Sequence, residues 1–110
     1  MEDEKFYKMI NLKVIENITR CGGDLNKHHQ VEFFIYVPNE EDAYRAAAII
    51  QKVGFEVEVS QSGSDSDWLC LATMKMKPKL SDITKISMYL AKLAESFGGN
   101  YDGWETPIDF

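Results

Sequence analysis

The sequence has little of what catalysis or metal binding ordinarily uses. Its 110 residues include only two histidines and two cysteines. His28 and His29 are adjacent, and on an extended chain neighbouring side chains point to opposite sides. No second pair of Cys or His stands at metal-ligand spacing to join them, and a solvated loop entering a strand accounts for the pair. Cys21 and Cys70 form no CxxC pattern and read as reduced, buried small hydrophobes rather than as a bridge. No apolar run approaches the roughly 18 residues of a membrane span. The start, Met1-Glu2-Asp3-Glu4-Lys5, is acidic where a secretory signal is basic and then apolar, so a cytoplasmic protein is expected. Positive charge is also scarce. The 12 Lys and Arg face 18 Asp and Glu, for a net charge of −6. Such a chain repels phosphate backbones, which argues against a general nucleic-acid binder; neither direct nucleic-acid binding nor a membrane partner is expected.

Other motifs of site chemistry are missing too. Gly22-Gly23 and Gly98-Gly99 lack the strand-before, helix-after context of a phosphate loop and a following Lys-Ser/Thr, and both sit where helices stop. Ser60-Gln61-Ser62-Gly63-Ser64-Asp65-Ser66-Asp67 matches a calcium loop in composition only, without the terminal bidentate Glu. Glu40-Glu41-Asp42 is explained by the first turn of a helix, whose dipole favours negative charge. No catalytic residue, metal or cofactor is expected, and the protein is read as a non-enzyme.

What is present is a chain of alternating periods. Residues 3 to 21 have helical spacing, with Phe6, Ile10, Val14, Ile15 and Ile18 on one half of the wheel. Val31–Val37 is β-branched and aromatic and stops at Pro38, as a strand does. Asn39 is a natural N-cap for a helix whose face is Ala43, Ala46, Ala47, Ile50 and Val53. Phe55–Val59 alternates as a half-wet strand, and Trp68–Lys77 forms a third strand ending at Pro78. Ser81 or a neighbour caps a last helix with the stripe Ile83, Ile86, Leu90, Leu93, Ala94 and Phe97. Asn100–Thr106 is a final strand.

The expected class is α+β, a ferredoxin-like βαββαβ sandwich with an additional N-terminal helix. Right-handed crossovers put both later helices on one face of an antiparallel four-stranded sheet ordered 4-1-3-2. The N-terminal helix and linker would occupy residues 1–27 and the ferredoxin-like part residues 28–110, one domain overall. Strand one sends Val31, Phe33, Ile35 and Val37 toward the helices. Strand three is ambiguous: its wholly apolar set, Trp68, Cys70, Ala72, Met74 and Met76, is placed inward, while the alternate set, Leu69, Leu71 and Thr73, runs into Lys75 and Lys77. Phe34, Tyr36, Leu69 and Leu71 are left on the other face beside Glu32, Glu56 and Glu58. Such a patch calls for a cover, either the N-terminal helix, a second copy or a partner. The stripe Phe6, Ile10, Val14 and Ile18 is expected to be buried against the chain or a second chain. One ferredoxin-like module stacks RNA on its open face, but strand three lacks its aromatic-basic motif and carboxylates surround Phe34 and Tyr36.

The tail is the most distinctive stretch. Gly99-Asn100-Tyr101-Asp102-Gly103-Trp104-Glu105, after a helix ending Leu93-Ala94-Glu95-Ser96-Phe97, resembles the C-terminal signature of the RraB family, bacterial regulators of ribonuclease E activity. The N-terminal helix, the His-containing start of the first strand and Gly54-Phe55-Glu56-Val57 extend the resemblance over nearly the whole chain. It implies a ferredoxin-like fold and a non-catalytic inhibitor that binds the endoribonuclease and alters RNA degradation. One departure is the long acidic C-terminal tail expected of such regulators, which does not follow Glu105 here. In this reading Tyr101, Asp102, Trp104 and Glu105 are the candidate partner-binding residues. Alternatively, Asp102-Gly103 makes a turn or bulge while Tyr101 and Trp104 pack onto the end of the last helix. A different class of function, a small-ligand-binding or sensing domain using the open sheet face, also remains open, as does self-association.

Overall fold

The structure, a computed structural model, describes residues 2–63 and 67–107. The middle of the Ser/Asp loop, residues 64–66, lies outside the described residues. Seven elements follow in order: α1 (Glu2–Arg20), β1 (His29–Val37), α2 (Glu40–Lys52), β2 (Glu56–Gln61), β3 (Trp68–Met76), α3 (Leu80–Ser96) and β4 (Asn100–Glu105). The strands form one sheet in the order β2-β3-β1-β4, antiparallel at each junction. This is the ferredoxin-like sheet that the alternating periods predict, with α1 added at its start.

The core lies between the sheet and the helices. Val31, Phe33, Ile35 and Val37 of β1 are buried, as are Cys70 and Ala72 of β3. Trp68, Met74 and Met76 pack against the same cluster. Phe33 meets Phe55 edge to face at 5.7 Å, a favoured geometry for two aromatic quadrupoles. In α2 the buried face is Ala43, Ala46, Ala47 and Ile50. Small side chains there let the helix backbone approach β3 closely enough for the Cys70 thiol to reach the Ala43 carbonyl at 3.3 Å. Asn39 caps α2 as expected, its side-chain oxygen accepting the Asp42 N–H at 2.9 Å. Gly99 is fixed by proximity: a Cβ there would overlap the Tyr36 carbonyl oxygen, so only glycine lets β4 start beside the end of β1.

Several expectations are corrected. The N-terminal helix does not cover the open sheet face. It packs along α3, on the helical side, and sends Ile15 and Ile18 into the shared core. Its buried stripe is also rotated: Asn11 is 1% exposed while Phe6 is 52% exposed, and Ile10 is exposed as well. The rotation follows from Asn11, whose polar partners on α3 and β4 set which face turns inward. His29 is not in a solvated loop. It is buried as the first residue of β1 and its Nε2–H donates to the Asp24 carbonyl at 2.7 Å, leaving only His28 exposed. Cys21 is exposed, because it follows the last turn of α1, whereas Cys70 is buried; both are free thiols. Ser81 does not cap α3, which begins at Leu80 after Lys79 and has no side-chain cap.

The two thiols should behave differently. Burial pushes the Cys70 thiol up to about 11 from its ordinary 9.0, and only thiolates react quickly. Native protein at about pH 8 should therefore take up one equivalent of an aromatic disulfide reagent, at Cys21, and a second only in denaturant. The native state keeps a proton on Cys70 that the unfolded chain loses. This contribution to stability is thus present below the ordinary thiol value of 9.0 and is lost as pH rises toward about 11. Replacing Cys70 by Ala should flatten part of the fall in thermal midpoint across that range.

Candidate functional site

The signature strand is built around an irregularity. On a regular strand, residues three apart face opposite sides. Here Tyr101 pairs with Ile35 and Trp104 with Phe33, so β4 uses one residue more than β1 over the same stretch. Asp102 and Gly103 share the place opposite Phe34, and Gly103 takes φ +105°. That backbone region favours glycine. The bulge restores parity, and both aromatic side chains enter the helical side of the sheet.

There they meet a buried polar cluster contributed by α1 and α3. The Trp104 indole N–H donates to the Asn11 side-chain oxygen at 2.9 Å. An indole only donates, so the amide orientation of Asn11 is fixed, and its NH2 group faces α3. It donates to Thr84 Oγ1 and Ser87 Oγ, each at 3.3 Å. Ser87 also shares a hydrogen bond of 3.1 Å with the Tyr101 hydroxyl. Among the described residues no buried side-chain polar atom is left unpaired. Burial raises the Tyr101 phenol well above the ordinary tyrosine range; its bond to Ser87 offsets part of this, and nearby Tyr7 adds to it. The phenol therefore stays protonated at physiological pH, as a hydrogen-bonding group.

The sequence-predicted site residues thus separate. Trp104 is buried and Tyr101 half-buried, both engaged with α1 and α3, whereas Asp102 and Glu105 are exposed. Glu105 lies directly opposite Glu32, Glu32 opposite Thr73, and Thr73 opposite Glu56. One transverse row of the open face therefore carries carboxylates from β2, β1 and β4. Beside it Phe34 pairs with Leu71 and Leu71 with Glu58, and in the next row Tyr36 pairs with Leu69. Phe34, Tyr36, Leu69 and Leu71 are half-buried by one another and covered by no described element. The alternation of the strands made this face legible. Asn11 was missed, because a polar residue inside an amphipathic helix gives no periodic signal for burial.

One further feature borders the site. Phe6, Tyr7 and Ile10 of α1 form a shallow cleft of about 230 Å³ with Tyr101, Asp102 and Gly103. Among the described residues no group of three or more His, Cys, Asp or Glu is placed to hold a metal ion. None of the described helices is long and apolar enough to cross a membrane.

Replacing Asn11 by Leu should lower stability by about 1–3 kcal/mol, since it leaves the indole N–H buried without a partner. In a denaturant-unfolding cycle with Trp104→Phe, the two changes should couple by at least about 0.5 kcal/mol. Additive effects would mean that the hydrogen bond contributes nothing. Gly103→Ala meets no steric obstacle, so its expected cost of about 1–2 kcal/mol reports the backbone conformation alone.

No curated protein matches the chain. The sequence profile of the family described as "Regulator of ribonuclease activity B" matches residues 8–106. The matched span runs from the second turn of α1, through the sheet, to the residue after β4. It includes both Asn11 and Trp104, the two ends of the buried polar bond. The chain belongs to the RraB family of regulators of ribonuclease activity.

Proposed function

We propose that this protein is a non-catalytic regulator that binds an endoribonuclease of the ribonuclease E type and restrains its cleavage of RNA in the bacterial cytoplasm. The observation that carries this reading is the family match over residues 8–106. The net charge of −6 supports a protein partner rather than RNA, because a basic nuclease surface attracts what a phosphate backbone repels. Within the signature, Asp102 and Glu105 are the residues offered to the partner, and Tyr101 and Trp104 hold the strand that presents them. No cofactor or metal takes part in this mode of action.

Electrostatic steering makes association salt-sensitive. The on-rate should fall as ionic strength rises past the point where the Debye length is about 8 Å. The direct test adds purified protein to the ribonuclease E-type nuclease of the source cell, with cleavage of a defined RNA and binding by calorimetry as readouts. Wild-type protein should bind and slow cleavage, while the Asp102→Lys, Glu105→Lys double variant should bind at least about tenfold more weakly, a difference of about 1.4 kcal/mol. Failure of the wild-type protein to bind would overturn the regulator reading.

A further inference from the structure

The open face of the sheet is asymmetric in a way that specifies an occupant. Its apolar centre, Phe34, Tyr36, Leu69 and Leu71, is flanked on one side by the carboxylate row of Glu56, Glu32 and Glu105, with Glu58 adjoining it on β2. The opposite flank is neutral, since Tyr36 pairs with Asn100 and Leu69 with Ser60. Lys75, paired with Gln30 beyond the acidic row, is the cation that β3 adds to this face. Among the described residues, ion pairs occur only within α1 and α2. The acidic row therefore has no salt bridge of its own. Glu32 and Glu105 even stand directly opposite one another, an arrangement of like charges that destabilises a sheet.

We infer that this face is a docking surface for an amphipathic helix of the partner protein, lying across the strands with its apolar stripe on Phe34, Tyr36, Leu69 and Leu71 and a basic flank on the carboxylate row. The inference deepens the regulator reading and rests on it for the identity of the partner. Dimensions agree with one helix. The rows of Glu32, Phe34 and Tyr36 span about 14 Å along the strands, close to the diameter of about 10–12 Å of a helix with its side chains. Charge spacing agrees as well. Glu56 and Glu32 are two strands apart, about 10 Å, and Glu105 is one strand further, about 5 Å. A helix rising 1.5 Å per residue meets those intervals with Lys or Arg at i, i+7 and about i+11. A second copy of this chain is a poorer occupant, since the strands of its own open face bring one cation, Lys75, against the carboxylates of Glu32, Glu56, Glu58 and Glu105. RNA is disfavoured by the same carboxylates, despite Phe34 and Tyr36.

The probe is a synthetic peptide of about 18 residues, roughly 27 Å as a helix, made of leucine, alanine and lysine with the lysines at the stated spacing. It is titrated into isotope-labelled protein and followed by NMR, beside a scrambled peptide of equal composition and a single-stranded RNA oligomer. Shifts should gather at Phe34, Tyr36, Leu69 and Leu71 for the ordered peptide alone. The Glu32→Lys, Glu56→Lys double variant should weaken its binding at least about tenfold. Glu105→Gln should weaken binding too, yet raise the thermal midpoint of the free protein by roughly 1–4 °C by relieving repulsion from Glu32. Absence of shifts, equal binding of the scrambled peptide, the same shifts with RNA, or shifts centred on Phe6 and Ile10 or on Val53 and Tyr89 would each overturn the inference. The intact nuclease separates the two readings. Undiminished binding to the double variant leaves the regulator role standing and removes this face. A nuclease that ignores the wild-type protein, while the peptide maps to the sheet, removes the regulator role and keeps the face.

Discussion

The hydrogen bond from the Trp104 indole to Asn11 joins the two ends of the family match, and it exists only because β4 carries an extra residue at Gly103. Without the bulge, Tyr101 and Trp104 would project to opposite faces, and one of them would lie on the open sheet. With it, both turn toward the helices, and Asn11 can satisfy Trp104, Thr84 and Ser87 together. A buried amide with all its partners in place is specific in a way that apolar packing is not. Shifting α1 by one residue would strand donors in a dry interior. The same bond sets the rotation of α1, which is why Phe6 and Ile10 remain at the surface.

This arrangement divides a short signature between two tasks. Its aromatic residues fasten the N-terminal helix and α3 to the edge strand, and Glu105 completes an acidic row on the far side of the sheet. Keeping α1 beside α3 also keeps it off that face. The free face is therefore a consequence of where the polar cluster sits.

Much of this was legible in the sequence, and the exceptions share a cause. Strands with period two, such as Val31–Val37 and Phe55–Val59, reveal both their faces, so Phe34, Glu32 and Glu58 could be read directly onto the open surface. Leu71, in contrast, lies on a strand apolar on both sides, whose inward face is settled by the burial of Cys70 and Ala72. The helices α2 and α3 were equally plain from their apolar stripes. Misreadings arose where a polar or small residue is decided by a distant partner. Asn11 is buried because Trp104 needs an acceptor. His29 is buried because the Asp24 carbonyl awaits its N–H. Cys21 is exposed because α1 ends just before it, and no local pattern encodes any of these. Within the family signature, the structure turns Tyr101 and Trp104 toward the helices and places Glu105 opposite Glu32 on the open face.

Carboxylate footprinting of the complex tests this division most directly. Protein alone and protein with the proposed ribonuclease partner would be labelled with a carbodiimide and an amine, and each Asp and Glu read by mass spectrometry. Glu32, Glu56, Glu58 and Glu105 should lose labelling in the complex, while Glu40 and Glu41 at the start of α2 and Glu95 near the end of α3 keep theirs. Protection of Glu40, Glu41 and Glu95, with the sheet carboxylates still labelled, would contradict it.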